Sequence, residues 1–87
     1  MKILMIIPAY NEELNIENTV DKIKKHNEKS VNKIDYVVVN DGSIDNTKNV
    51  CEKNKFNVIN LIYNLGIGGA VQTGYKYALE NNYDVAI

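Results

Sequence analysis

Apolar residues in this chain come in short unbroken runs, separated by stretches in which they recur every three or four positions. Lys2 to Ile7 reads Lys-Ile-Leu-Met-Ile-Ile, a run of strand length without polar alternation. That is the pattern of a strand covered on both faces of a parallel sheet. From Glu12 to about Asn27 the period changes. Ile16, Val20 and Ile23 fall at i, i+4 and i+7, with Glu12, Glu13 and Glu17 near the start and Lys22, Lys24 and Lys25 near the end. The spacing predicts an amphipathic helix whose charges complement its dipole, with His26 a solvated residue in its tail. A second buried strand follows at Ile34 to Val39, a short helix from about Asp45 to Asn54, and a third strand at Asn57 to Ile62. Beyond Gly66-Ile67-Gly68-Gly69, one helical face collects Ala70, Val71, Gly74, Tyr75, Ala78 and Leu79. Asn81-Asn82 ends that helix, and Tyr83 to Ile87 begins a fourth strand. The order β-α-β-α-β-α-β predicts an α/β fold, a Rossmann-like parallel sheet with helices on both faces.

The length of 87 residues suits one small domain or a piece of a larger one. No repeat, low-complexity tract or linker interrupts it. The sequence stops directly after Val85-Ala86-Ile87, inside an apolar strand, so the expectation is a truncated domain spanning residues 1–87. The 45% hydrophobic and 24% charged composition is that of a folding chain. A formal net charge of -1 leaves no electrostatic footprint for nucleic acid. All 10 basic residues are Lys, so no planar guanidinium fork is present to grip a phosphate. A diphosphate held here must meet backbone N–H groups, Lys or a metal. The single Cys51 excludes an intramolecular disulfide and a multi-cysteine zinc site, and its helical position reads as a buried structural thiol. The apolar run from Ile3 to Pro8 is too short for a signal-peptide core or a membrane span. Cytoplasmic localisation is therefore expected.

In an open parallel sheet, ligands bind outside the carboxyl ends of the strands, near the point where strand order reverses. The residues just after each predicted strand are chemically distinctive: Pro8-Ala9-Tyr10-Asn11-Glu12, Asn40-Asp41-Gly42-Ser43, and Asn64-Leu65-Gly66-Ile67-Gly68-Gly69. Pro8 lacks an N–H and is expected to end the first strand. Tyr10 offers a flat ring for a base, and Glu12 an acceptor for a ribose hydroxyl or base N–H. The structural alternatives are that Asn11 caps the helix and Glu12 favours its dipole. Asp41 has three readings: an Asx turn with Gly42, a helix cap for which Ser43 and Asp45 are better placed, or an acceptor for a bound nucleoside. The glycine-rich stretch precedes a helix, whose N–H groups suit an anion, although it follows the third strand and lacks the last glycine of a dinucleotide fingerprint. Its alternative is tight helix-to-sheet packing, with Gly74 allowing close approach.

Taken together, Ile6-Ile7-Pro8-Ala9-Tyr10-Asn11-Glu12-Glu13, Val38-Val39-Asn40-Asp41-Gly42-Ser43-Ile44-Asp45-Asn46-Thr47 and Asn64-Leu65-Gly66-Ile67-Gly68-Gly69-Ala70 with Gly74 resemble the N-terminal half of family 2 glycosyltransferases of the GT-A fold. Asn-Leu-Gly-x-Gly-Gly-Ala followed by Gly74-Tyr75-Lys76-Tyr77-Ala78 is most similar to the polyprenyl-phosphate, dolichyl-phosphate mannose synthase-like, sugar transferases. The resemblance implies that Pro8, Ala9, Tyr10 and Glu12 line a nucleoside pocket and that Asp41 contacts the base or ribose. It further implies that Gly42 leaves room for the nucleoside, and that the Asn64 to Gly69 loop closes over it, with Asn64, Gly66, Gly68 and Gly69 as its binding residues.

The implied activity is sugar transfer from a UDP-, GDP- or dTDP-sugar to an acceptor such as a lipid phosphate, at the cytoplasmic face of the membrane. It uses a divalent metal, Mg or Mn, held through an Asp-x-Asp motif at the end of the fourth strand. The sequence ends before that motif. Neither catalytic nor metal-binding residues are therefore expected within this chain, and the 87 residues alone are expected to be inactive. Asn40 stands where the family frequently has an acidic residue. Replacing Asp41 by Ala is expected to weaken nucleotide binding and leave the fold intact. The exposed edge of the fourth strand is expected to pair with another copy of the chain. A non-catalytic nucleotide-binding module is the competing reading. A dinucleotide-dependent oxidoreductase is disfavoured, because the loop after the first strand has no glycine.

Overall fold

The structure, a computed structural model, describes residues Met1 to Ile87. Its elements are β1 (Ile3–Ala9), α1 (Ile16–Lys29), β2 (Asp35–Asp41), α2 (Thr47–Lys53), β3 (Val58–Leu61), α3 (Gly66–Glu80) and β4 (Val85–Ala86). The four strands form one sheet in the order β3-β2-β1-β4, and every pair is parallel. The crossovers through α1 and α2 step outward on one side of β1, whereas α3 returns the chain to its other side. Strand order therefore reverses at β1.

Covering on both faces explains the unbroken apolar runs. Successive side chains of a strand point to opposite faces. Leu4 and Ile6 of β1 and Val37 and Val39 of β2 pack against Ala70 and Ala78 of α3. Ile7, Ala9 and Val38 face the other way, against Ile16, Val20 and Ile23 of α1 and Cys51 of α2. Leu4, Val20, Val37, Val38 and Val39 are wholly buried, and each such side chain stabilises the fold by about 1.5–3 kcal/mol. Burial, followed by the charge of Glu52, raises the pKa of the Cys51 thiol, as suits an unreactive structural cysteine. Gly74 lets α3 lie close on the sheet: a Cβ there would stand 2.4 Å from Ile6 Cγ2.

Five local expectations are corrected. Pro8 does not end β1, which continues to Ala9, with Pro8 paired to Val39. Ile6 N–H donates to Ile87 O at 2.8 Å and Ile87 N–H to Leu4 O at 2.9 Å, so alternate residues of β1 turn their backbone toward β4. Pro8, two positions on, directs its missing N–H to that same side beyond the reach of β4, where the ladder loses nothing. The strand β2 likewise extends through Asn40 and Asp41, which pair with Asn60 and Leu61 of β3. Both are buried, because each has side-chain partners that replace water. The helix α1 starts at Ile16, after a turn in which Asn15 and Ile16 N–H both donate to Glu12 O. Finally, α3 begins at Gly66, so the glycine-rich stretch is its first turn rather than a loop. The buried face of α3 is also narrower than predicted, made by Ala70, Gly74 and Ala78. Tyr75 and Leu79 point outward, 51% and 79% exposed.

Two aromatic residues pack together near the amino-terminal end of the sheet. Tyr83 stacks on Tyr77 with ring centroids 6.4 Å apart, and its hydroxyl donates to Asp35 Oδ2 at 2.8 Å. Burial, with the Asp35 contact, pushes its pKa up to about 12.

Candidate functional site

At the carboxyl ends of β1 and β2, on the α3 side of the sheet, lies an open pocket of about 400 Å³. Pro8, Ala9, Tyr10, Glu12, Asp41, Asn64, Gly66, Ile67 and Ala70 line it. Seven of the ten residues predicted from sequence are thereby brought together: Pro8, Ala9, Tyr10, Glu12, Asp41, Asn64 and Gly66. Tyr10 is 46% exposed, which leaves its aromatic side chain accessible to a flat ligand. Ile67 and Ala70 add an apolar wall that sequence reasoning missed. Their signal was spacing: Ala70 lies three positions after Ile67 and four after Gly66, which becomes legible once the helix is known to start at Gly66.

Asp41 reaches the pocket from the last position of β2, buried, and its carboxylate is already in use. Oδ1 accepts the Leu65 N–H at 2.7 Å and Oδ2 the Asn64 side-chain amide at 3.2 Å. The same amide donates to the Asp41 backbone carbonyl at 3.0 Å. Leu65 is the N-cap residue of α3, which has no side-chain cap of its own. Asp41 therefore supplies the missing acceptor from another strand. Neither the Asx turn nor the cap of α2 describes this carboxylate. It fixes where α3 begins, and so where Gly66 and Ile67 meet the pocket.

Gly42, Gly68 and Gly69 do not line the pocket. Gly42 has φ +67°, and a Cβ on it would fall 2.6 Å from Asn64 N and 2.7 Å from the Tyr63 carbonyl carbon. The space it leaves is filled by the chain's own backbone rather than by a ligand. Gly69 makes room for the Leu65 side chain, and Gly68 faces open space. Gly66, at φ +84°, takes the left-handed conformation from which α3 starts.

The loops after β1 and β2 are joined by side chains that the motif reading treated as caps. Asn11 adopts φ 54°, and its N–H donates to Ser43 Oγ at 2.9 Å. Its Oδ1 accepts the N–H groups of Ile44 and Asp45 at 3.0 and 3.4 Å, so it ties two loops instead of capping α1. Glu12 N–H donates to Thr47 Oγ1 at 2.9 Å, and Glu13 N–H to Asp45 Oδ2 at 3.3 Å. Thr47 in turn donates its N–H and its hydroxyl to Asp45 Oδ1. Burial raises the pKa of Asp45, but the hydrogen bonds from Thr47 and Glu13 outweigh it and hold the carboxyl below its usual range. Ser43 completes the set by donating to Asn40 Oδ1.

Glu12 and Asp41 are the only carboxylates at the pocket, and no three His, Cys, Asp or Glu side chains in the fold come together to hold a metal. These residues by themselves do not fit a metal centre.

Residues 5–83 match the model of the family described as glycosyl transferase family 2. A UDP-N-acetylglucosamine–dolichyl-phosphate N-acetylglucosaminyltransferase of Methanococcus voltae is 35% identical over 98% of this chain and 39% of its own length. An undecaprenyl-phosphate mannosyltransferase of Micrococcus luteus is 32% identical over 100% of this chain and 36% of its own length. The chain thus spans well under half the length of these curated relatives. Among solved structures, the mannosyltransferase PcManGT from Pyrobaculum calidifontis, in complex with GDP-Man and Mn2+, superposes with a TM-score of 0.76 at 24% identity. The superposition covers 88% of this chain and 24% of that one, and shows the shared GT-A fold.

Proposed function

The chain belongs to glycosyl transferase family 2, and from that premise we propose that its pocket receives the nucleoside of a nucleotide-diphosphate sugar. In this reading the whole protein transfers the sugar to a lipid phosphate of the polyprenyl type. The observation that carries the reading is the convergence on one pocket of a half-exposed tyrosine ring, two carboxylates and an apolar wall from α3. A planar apolar surface with a few placed polar groups is what orients a base and ribose. The polyprenyl acceptor is supported by the names of the two relatives, both transferases acting on such phosphates.

A divalent cation, Mg or Mn, belongs to the whole protein, with its ligands outside these residues, and the Mn2+ of the mannosyltransferase supports this. The 87 residues alone would bind nucleotide without turning over. Work on a lipid phosphate fits the cytoplasmic face of a membrane, and no helix here is long and apolar enough to cross one.

Calorimetric titration of the full-length protein with UDP, GDP and dTDP tests the pocket. One nucleotide is expected to bind preferentially, and Tyr10→Ala to weaken it about tenfold, in line with the loss of one base-stacking contact. Absence of binding by all three would overturn the reading. Sugar transfer to a polyprenyl phosphate then supports the enzyme, whereas tight binding without transfer identifies a non-catalytic nucleotide-binding module.

A further inference from the structure

Three consecutive backbone N–H groups in the loop after β1, those of Asn11, Glu12 and Glu13, all donate to side chains of the segment after β2. Their acceptors are Ser43 at 2.9 Å, Thr47 at 2.9 Å and Asp45 at 3.3 Å respectively. Backbone N–H groups in a loop ordinarily turn to water or to their own neighbours. Here they share an external template, and that template is rigid. Thr47 is wholly buried, and its hydroxyl accepts from Glu12 while donating to Asp45. Both Asp45 oxygens are occupied. Ser43 is anchored on Asn40, which is itself held by Asn60 across the sheet. The templated residues sit directly beside Tyr10 and include Glu12, both of which line the pocket.

We propose that Ser43, Thr47 and Asp45 are positioning residues of the nucleotide site. They hold the Tyr10–Glu13 backbone at the spacing from Asp41 that a nucleoside requires, without touching the ligand. The inference rests on the pocket being a nucleoside site and adds to it the machinery that sets its width. None of the three side chains lines the pocket, so their effect on affinity passes through the backbone they accept from. Of the three, Thr47 discriminates best. Valine matches its shape and removes the hydroxyl that accepts from Glu12 and donates to Asp45, whereas serine keeps the hydroxyl and loses a buried methyl group.

The test measures nucleotide affinity and thermal stability of the full-length protein for Thr47→Val and Thr47→Ser, with amide hydrogen exchange at Asn11 to Glu13. Thr47→Val is expected to weaken the preferred nucleotide about tenfold, equivalent to about 1.4 kcal/mol. It should also speed exchange at Glu12. Thr47→Ser is expected to restore both even though the lost methyl lowers its melting temperature. Affinity that follows melting temperature across the two variants, or wild-type affinity in Thr47→Val, would overturn the positioning role. If the wild-type protein binds no nucleotide, the nucleoside reading itself fails and this inference falls with it. The exchange rates separate the two failures, because they report the template whether or not a nucleotide binds.

Discussion

The Asp41 carboxylate spends one oxygen on the Leu65 N–H and the other on the Asn64 amide, so its removal reaches further than the ligand. A buried N–H left without an acceptor costs about 1–3 kcal/mol. Asp41→Ala is therefore expected to lower the melting temperature by that equivalent as well as to weaken nucleotide binding, which revises the expectation of an intact fold. A melting curve superimposable on wild type would show that Leu65 finds another acceptor. From the sequence, Asp41 was recognisable as a pocket residue, because it follows a buried strand in a parallel sheet. Its bond to Leu65 was not, since the partner lies 24 positions away.

At the level of elements, the helix α3 shows how one residue type serves different ends. Gly74 faces Ile6 with no space for a methyl group, whereas Gly68 faces open space within the same helix. Gly74→Ala is expected to destabilise by about 1–3 kcal/mol through overpacking. Gly68→Ala is expected to stabilise by roughly 0.5–1 kcal/mol through helix propensity and to leave nucleotide affinity unchanged. Denaturant titration of the two variants checks the contrast, and equal effects would contradict the packing geometry. The close approach at Gly74 was legible from its place on an apolar helical face. The start of α3 at Gly66 was not, because glycine clusters are weak helix formers and read locally as loop. The Asp41 carboxylate and the packing of Ala70 and Ala78 on the sheet override that preference.

For the molecule as a whole, β1 is central in the sheet, but its hydrogen bonding toward β4 and Ile87 reaches only as far as Ile6, which leaves the carboxyl-terminal end of that edge open. An unpaired edge on an apolar strand recruits other strands, so the isolated 87-residue chain is expected to self-associate with rising concentration. Light scattering that reports a clean monomer at high concentration would refute this. The sequence by itself determined the β-α-β-α-β-α-β order and the two-faced burial of the strands. It also determined the gathering of Pro8, Tyr10, Glu12, Asp41 and Asn64 at one end, because apolar period and parallel topology leave few alternatives. Only the tertiary structure decided which polar groups line the pocket and which are consumed in holding it together. The bonds from Asn11, Glu12 and Glu13 to Ser43, Thr47 and Asp45 span 32 to 35 residues. Bonds of that span depend on strand register and on the distance between two loops, and neither is written in the local pattern of residues on either side.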